Sequence, residues 1–259
     1  MTSWPPVLPS AVAPYYLDDS AMILHGRCEG LLPCLQHVDV VITDPPYDAR
    51  THAGARTTGL ATRQRASFHG LVPCAAIEIG FEALESVRSV AALTQLAQRW
   101  CVVFCSVETL GAYQAIAGPE YIRGGFWRRT SNTPQISGDR PGQPGEGIAI
   151  LHRVGKKHWN GGGYSAYYKY SPVKRDRVHP TQKPEGLILE LVSQFSDQGE
   201  VVLDPYMGSG TTGVACRRLG RRFIGIEQNE EHCETAVKRL RQIGLFAPSD
   251  FEPTQDSLL

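Results

Sequence analysis

The segment Val201–Thr212, with the sequence VVLDPYMGSGTT, constrains the fold of this chain more than any other stretch. An apolar run leads into a glycine-containing turn, and a helix is predicted to begin at Thr211. Glycines allow close approach of the backbone, and a helix N-terminus offers free N–H groups to an anionic ligand. The next apolar strand ends at Glu227, 23 positions after Asp204, where an acid can bind ribose hydroxyls. This pattern predicts a nucleotide-binding βαβ unit.

The glycine turn is compatible with two other kinds of structure. A Walker-type phosphate loop is disfavoured, because no lysine precedes Thr211. A tight turn that carries a buried acid fits the residues equally well, so the turn alone does not establish a ligand site.

A second motif, Asp44-Pro45-Pro46-Tyr47, directly follows the continuous apolar run at 38–42. Such a run is typical of a strand covered on both faces, and open α/β sheets bind ligands beyond the carboxyl ends of their strands. Two prolines fix the backbone, Asp44 offers a carboxylate acceptor, and Tyr47 offers a flat surface for stacking a base. These groups suit recognition of an exocyclic amine. A strand that is simply ended by two prolines is the alternative.

Strand and helix patterns alternate along the chain. Strands are predicted at 21–24, 38–42, 100–104, 146–151, 200–203 and 222–226, and helices at 29–35, 81–99, 108–117, 185–195, 211–219 and 230–243. This alternation predicts an α/β fold with a mainly parallel sheet and helices on both faces.

A third motif, HPTQKP at 179–184, reads in isolation as a basic, proline-punctuated helix start. In the order DPPY, HPTQKP, DPYMGSGTT, however, the chain resembles the β-class of S-adenosylmethionine-dependent DNA amino-methyltransferases. The resemblance covers roughly residues 17–245 and implies a Rossmann-like methyltransferase fold with a small inserted target-recognition region.

The resemblance also implies roles for particular residues. The catalytic motif is Asp44, Pro45, Pro46 and Tyr47, with Asp44 and the Pro45 carbonyl accepting from the target amine and Tyr47 stacking on the flipped base. S-adenosylmethionine would be held by Gly26, Lys183, Asp204, Pro205, Met207, Gly208, Ser209, Gly210, Thr211, Thr212 and Glu227. One departure affects the cofactor's adenine: the family often has Gly-Asp where this chain has Gly26-Arg27, and an arginine cannot accept from an amine.

The implied activity is methylation of the 6-amino group of adenine in double-stranded DNA, as in restriction-modification systems, because an aspartate opens the tetrapeptide. Methylation of the 4-amino group of cytosine is the near alternative, since relatives with that activity more often begin the motif with serine. A catalytically silent DNA- or cofactor-binding relative is the third, favoured by Arg27. The Pro-Cys pairs at 33–34 and 73–74 resemble a cytosine-ring nucleophile, but DPPY already occupies that site.

The formal net charge of the whole chain is zero, yet its distribution is uneven. Between residues 121 and 180 there are 11 basic and three acidic side chains, a net charge of +8, interleaved with glycines and aromatic residues. Such a segment is typical of a surface that binds the phosphates of DNA. The residues predicted to contact DNA are Arg128, Arg129, Lys156, Lys157, Trp159, Lys174, Arg175 and Arg177.

The predicted organisation follows from these motifs. It comprises an arm over 1–16, a catalytic half over 17–120 with a lid loop over 48–72, a DNA-recognition region over 121–180, a cofactor-binding half over 181–245 and a tail over 246–259. No apolar run reaches the roughly 20 residues that span a bilayer, and no metal-ligand cluster is apparent. Seven scattered cysteines suggest reduced thiols and a cytoplasmic protein. The family resemblance is compatible with a homodimer.

Overall fold

The computed structural model describes residues 4–46, 92–130, 141–173 and 182–243. The strands in these residues are β1 (Tyr16–Leu17), β2 (Ala21–His25), β3 (Val40–Thr43), β4 (Trp100–Cys105), β5 (Tyr121–Arg129), β6 (Gly145–His152), β7 (Tyr167–Tyr170), β8 (Val201–Asp204) and β9 (Arg222–Glu227). The helices are α1 (Cys28–Leu31), α2 (Leu110–Ala117), α3 (Glu185–Phe195), α4 (Thr211–Arg218) and α5 (Glu230–Ile243), and 92–96 is also helical. Short 3₁₀ turns lie at Leu32–Cys34, Val107–Thr109 and Gly118–Glu120.

All of these strands belong to one sheet, in the order β1-β2-β9-β8-β3-β4-β6-β5-β7. The central strands β2, β9, β8, β3 and β4 are parallel to their neighbours in that group. Strand β6 is antiparallel to both β4 and β5, and β7 is parallel to β5. The prediction of a mainly parallel α/β sheet is therefore confirmed.

The two faces of the sheet are both covered, because alternate residues of a strand point to opposite sides. One core cluster joins Ile42 and Val202 to apolar residues of α3, α4 and α5. The other joins Val41 and Leu203 to α1, α2 and the helical residues 92–96. Burial on both faces explains why the central strands are nearly all apolar.

The direction of the strands defines two edges of the sheet, and the site depends on the distinction. The central parallel strands all end at one edge, which we call the carboxyl edge, and begin at the other, the amino edge. Strands β5 and β7 also end at the carboxyl edge, whereas β6 begins there and ends at the amino edge. Over the six residues of β4 the two edges are about 17 Å apart.

Two predicted boundaries differ from the structure. The first residues, expected to form a separate arm, contact the fold: Trp4, Leu8 and Val12 pack against the second core cluster, and Tyr16 begins β1. Their apolar side chains outweigh the proline content in deciding where they lie. The region 121–180 is not a separate insertion, because its strands β5, β6 and β7 extend the main sheet, and β6 is buried throughout.

The tail at 246–259 and the lid at 48–72 lie outside the described residues. Among the described helices, none combines the length and the apolar character that crossing a bilayer would demand.

Candidate active site

Asp44 lies directly after β3, at the carboxyl edge, and its carboxylate is bound by a lysine. Lys183 Nζ is 2.6 Å from Asp44 Oδ2. The lysine comes from the segment that precedes α3, 139 positions later in the chain, so the pairing brings the DPPY and HPTQKP motifs together. Pro45 is buried beside Asp44 and Pro46 is exposed, whereas Tyr47 lies outside the described residues. Two of the three predicted motifs therefore meet at one point.

The same lysine contacts a second carboxylate. Lys183 Nζ is 2.9 Å from Glu146 Oε2, and Glu146 also pairs with Arg129 at the end of β5. Burial favours the neutral form of the Lys183 amine, but the charges of Asp44 and Glu146 outweigh it and raise its pKa. Burial likewise acts to raise the pKa of Glu146, and Lys183 and Arg129 overcome it, so that this pKa is lowered. Lys183 and Glu146 are thus both held in their charged forms.

Asp204 ends β8, the strand next to β3, and its buried carboxylate joins the two strands. Thr43 Oγ1 donates to Asp204 Oδ1 over 2.8 Å, and Thr212 Oγ1 donates to Oδ2 over 2.7 Å. The backbone N–H of Tyr206 also donates to Oδ1. Burial raises the pKa of Asp204 to about 6, despite these donors. The side chain fixes the start of the glycine turn and the start of α4 relative to β3.

The glycine turn has the backbone shape that its sequence predicts. Gly208 and Gly210 have φ angles of 52° and 78°, in the left-handed region that favours glycine. The turn leads directly into α4, whose first N–H groups have no partner within the helix. Glu227 faces the turn from the end of β9, where its carboxylate accepts from Gly208 N over 3.0 Å and from Asn229 N over 2.8 Å.

The other predicted cofactor residues divide into two groups. Gly26 lies at the carboxyl edge beside Glu227, donating its N–H to the Glu227 carbonyl over 2.9 Å. Pro205 and Met207 are buried, and Met207 packs across Gly225 of β9, where a Cβ would come within 2.3 Å of its sulfur. Met207 therefore supports the turn from within the core.

Ser209 and Thr211, both predicted to contact the cofactor, are held by an arginine from α5. Arg239 Nη1 donates to the Ser209 carbonyl over 2.8 Å and lies 3.1 Å from Thr211 Oγ1. The same nitrogen lies 3.3 Å from Ser209 Oγ. This arginine thus holds the turn from α5, while each hydroxyl keeps an O–H that it can donate to a ligand.

The comparisons with known proteins agree with this arrangement. The family model described as "DNA methylase" matches residues 125–238, which include Glu146, Lys183 and the whole glycine turn. The matched stretch is less than half of the chain, and over it the chain is similar to this DNA methylase family. Among similar proteins, the type II methyltransferase M2.DpnII of Streptococcus pneumoniae is 53% identical over 62 residues, which is 24% of this chain and 23% of that protein. The type II methyltransferase M.HinfI of Haemophilus influenzae is 46% identical over 67 residues, 26% of this chain and 19% of that protein. The matched stretch is thus less than a quarter of either relative.

Solved structures of DNA methylases extend the similarity over most of the chain. The crystal structure of the M1.HpyAVI complex with S-adenosylmethionine has a TM-score of 0.63 and 26% identity, covering 85% of this chain and 98% of that one. The cytosine-N4-specific PvuII DNA methyltransferase has a TM-score of 0.67 over 93% of this chain and 91% of that one. Its identity is 14%, so this second likeness concerns the fold alone. The Rossmann-like methyltransferase fold implied by the motifs is confirmed.

The residues predicted to contact DNA lie at both edges of the methylase sheet. Arg128 and Arg129 end β5 at the carboxyl edge, close to the site, and exposed Lys169 of β7 pairs in register with Arg128. Arg129 binds Glu146. Lys174, Arg175 and Arg177 lie outside the described residues.

Lys156, Lys157 and Trp159, in contrast, follow the end of β6 at the amino edge. Arg99 and Trp100, at the start of β4, both donate to the carbonyl of His158. These three residues therefore lie at the edge opposite Asp44, and their contact with DNA stays a prediction. Strand β6 runs antiparallel to β5 and carries the residues that follow it to the amino edge. The charge pattern of the sequence contains no information about this reversal.

Three residues of the site were not predicted from the sequence. Glu146 reads as the polar first residue of an apolar strand, and only the antiparallel placement of β6 brings it to Lys183. Thr43 reads as a β-branched strand residue, and Arg239 as an exposed position on an amphipathic helix. One sequence signal could have identified Glu146. It is a charged residue at the start of an apolar strand, and a glutamate that is buried there needs a partner of opposite charge. In the parts of the chain that the structure describes, His, Cys, Asp and Glu form no group of three or more that could hold a metal ion.

Proposed function

We propose that the protein transfers the methyl group of S-adenosylmethionine to the 6-amino group of adenine in double-stranded DNA. The observation that carries the proposal is the meeting of Asp44 with the glycine turn, through the paired strands β3 and β8 and the bond from Thr43 to Asp204. The groups proposed to bind the target amine and those proposed to bind the cofactor thereby share the carboxyl edge. The match of residues 125–238 to the DNA methylase family model supports the reaction class.

The residues at the glycine turn fit S-adenosylmethionine. Gly208 is left-handed with open space where a Cβ would project, so a ligand can approach the backbone closely. Glu227 lies against this turn with a carboxylate that suits ribose hydroxyls, and the N-terminus of α4 suits the cofactor's carboxylate. When bound, S-adenosylmethionine supplies the electrophilic methyl group.

The chain's own groups then act on the target amine. An amine inside a duplex is out of reach, so the target base must leave the stack, which costs a few kcal/mol. Asp44 and the Pro45 carbonyl accept hydrogen bonds from the amine and orient its nitrogen lone pair for in-line displacement. They also stabilise the positive charge that develops on this nitrogen. Asp44 can do so because Lys183 and the array behind it hold its carboxylate in place.

Adenine is proposed because an aspartate opens the catalytic motif. The likeness to the PvuII cytosine-N4 enzyme is one of fold and does not separate the two bases. A catalytically silent relative would be compatible with Arg27, whose exposed guanidinium pairs with Glu29 and offers no acceptor for an adenine amine. The ordered array at Asp44 favours an active enzyme, since a silent binding protein has no use for a positioned carboxylate.

One incubation separates these functions. Double-stranded DNA is mixed with the protein and methyl-labelled S-adenosylmethionine, digested to nucleosides and analysed by mass spectrometry. N6-methyladenine is the expected product, N4-methylcytosine would establish the alternative base, and no methylated nucleoside would contradict the reaction. Binding of the cofactor, measured by calorimetry in parallel, distinguishes a silent relative from a protein that lacks the cofactor site.

We also propose that the DNA is bound over the carboxyl edge. Exposed Arg128 and Lys169 lie side by side there, at the ends of β5 and β7. A surface of this kind makes binding depend steeply on salt, because phosphate contacts release counterions. A homodimer remains compatible with the family resemblance, and sedimentation velocity would establish the oligomeric state.

A further inference from the structure

Four charged side chains of alternating sign form a line from β5 to the reacting edge. They run from Arg129 to Glu146, from Glu146 to Lys183, and from Lys183 to Asp44. The two central members are the most enclosed, with 10% of each side chain exposed, against 24% for Asp44 and 35% for Arg129. The line joins a strand of the basic region to the carboxylate that accepts the target amine.

The ammonium of Lys183 lies between aromatic rings as well as between carboxylates. Its Nζ is 4.9 Å from the ring centroid of Phe104 and 5.9 Å from that of Trp127. A buried cation needs anionic partners, because removal from water is costly. With Asp44 alone as partner, Lys183 would bind that carboxylate strongly and compete with the target amine for it.

Glu146 relieves this competition, since it gives the ammonium a second anion that does not face the substrate. Arg129 in turn balances the charge of Glu146 and holds it in place. The four charges sum to zero, so the array can remain ionised while Asp44 shares its oxygens with an incoming hydrogen-bond donor.

On this basis we propose that Glu146 is a positioning residue for methyl transfer: it retains the Lys183 ammonium, and thereby leaves Asp44 oriented and able to accept from the target amine. The inference rests on the proposed function and deepens it. In this proposal Glu146 acts through Lys183, with which its carboxylate is paired, and not by a contact of its own with the reacting atoms.

The groups that face Lys183 determine how the loss of Glu146 should change the pH dependence of kcat. Among the described residues they include Asp44 after β3 and Glu146 on β6, with Phe104 and Trp127 as the neighbouring rings and Arg129 behind Glu146. Replacement of Glu146 by glutamine removes one of the two charges that keep the pKa of Lys183 high. Lys183 should then lose its proton at lower pH, and the alkaline limb of the kcat profile should move to lower pH with it.

The experiment compares wild type, Glu146→Gln and Glu200→Gln in steady-state methylation from pH 6 to 10. Glu200 is the matched control, because it is an enclosed glutamate paired with an arginine, Arg99, at the amino edge. We expect kcat of Glu146→Gln to fall roughly 10- to 100-fold, as for a misplaced catalytic group, with KM values for DNA and cofactor within about twofold of wild type. Glu200→Gln should keep the kcat and the pH profile of wild type.

Two further measurements exclude a merely structural effect. NMR of the cofactor-free protein should show the Lys183 ammonium titrating at lower pH in Glu146→Gln. In a Lys183→Met background, Glu146→Gln should cost no further kcat, because the residue through which it acts is gone. If Glu146→Gln does not fold, Glu146→Asp keeps the charge and should preserve the alkaline limb at a reduced kcat.

The outcomes separate the two proposals. A wild-type protein that transfers no methyl group overturns the proposed function. An active wild type whose Glu146→Gln variant has the same kcat and pH profile overturns the positioning role alone. Independent, multiplicative losses in the Lys183→Met background would likewise show that Glu146 does not act through this lysine.

Discussion

The carboxyl and amino edges of the same sheet both carry charged and aromatic side chains, but they differ in what those side chains bind. At the carboxyl edge, Asp44, Glu146 and Lys183 form an enclosed line that ends at a carboxylate facing the site. At the amino edge, Arg99 pairs with Glu200 and Asp197, and Asn160 binds the end of α3, so the polar groups there hold elements of the fold together. Similar residue types thus form the candidate active site at one edge and stabilise the fold at the other.

The difference follows from strand direction. Residues after parallel strands converge at the carboxyl edge, where α4 begins with free N–H groups, and ligands bind at this edge in open α/β sheets. The amino edge offers no such convergence, and its loops close on the helices that lead into the strands. Whether a polar residue follows or precedes a parallel strand is therefore a better guide to a functional role than its charge.

The largest effect is expected for Asp44→Ala. Removing the carboxylate that accepts from the target amine should lower kcat roughly 1000-fold or more, because an acceptor of developing charge is lost. Calorimetry should show cofactor binding close to that of wild type, since the glycine turn and Glu227 are unchanged. Glu146 remains to hold Lys183, so the fold should persist. Turnover near that of wild type would remove Asp44 from the mechanism.

The next largest effect concerns how the buried carboxylate of Asp204 changes the free energy of unfolding with pH. Burial raises the pKa of Asp204 to about 6, above the roughly 3.9 of an unfolded aspartate. The folded state therefore binds a proton more tightly, and this contribution to stability is present below pH 4 and lost as pH rises to about 6. Asp204→Asn has no such titration, so from pH 4 to pH 7 its free energy of unfolding should rise relative to wild type by up to about 3 kcal/mol.

Urea unfolding of both proteins at several pH values measures this difference, in which the contributions of other titrating groups cancel. Because Thr43 and Thr212 bind the carboxylate, Asp204→Asn should also loosen the glycine turn and weaken cofactor binding. A difference in unfolding free energy that stays constant from pH 4 to pH 7 would mean that Asp204 titrates normally.

A third prediction compares the basic residues of the two edges directly. The double variant Arg128→Ala/Lys169→Ala should weaken DNA binding about 10- to 100-fold at moderate salt and reduce the magnitude of the salt slope by about 2, one unit for each phosphate contact. Lys156→Ala/Lys157→Ala removes the same charge at the amino edge and should change affinity by less than about threefold. Fluorescence anisotropy over a salt series measures both, and equal losses would show that DNA also reaches the amino edge.

Much of the fold and part of the site could be predicted from the sequence. The apolar runs around Ile42 and Leu203 indicate buried parallel strands because both faces are covered, and the glycines indicate the turn because only they adopt its φ angles readily. The meeting of Asp44 and Asp204 at one edge follows from strand direction alone.

The rest depends on contacts between distant residues that no local pattern encodes. Glu146 and Lys183 are 37 positions apart and meet because β6 runs antiparallel to β4. Lys156 and Arg128 belong to the same basic segment of the sequence, yet they lie at opposite edges of the sheet, because β6 runs antiparallel to β5. Ser209 has the expected place in the turn, but its partner Arg239 comes from α5.

The smallest effect is expected at the amino edge, where Asn160→Ala should lower stability without altering catalysis. The two N–H donors of the Asn160 amide are shared among three acceptors: the carbonyls of Ser193 and Ser196 and Asp197 Oδ1, over 3.2, 2.9 and 2.8 Å. Carbonyls in the last turn of a helix lack partners within it, so this amide caps α3 from a separate segment. Its loss should cost about 1–2 kcal/mol, visible as a lower Tm, because the hydrogen bonds of this amide are replaced in part by water. Methylation well below Tm should retain the wild-type kcat. A fall in kcat greater than about tenfold in a fully folded variant would show that the two edges are coupled, since α3 begins beside Lys183 and ends at Asn160.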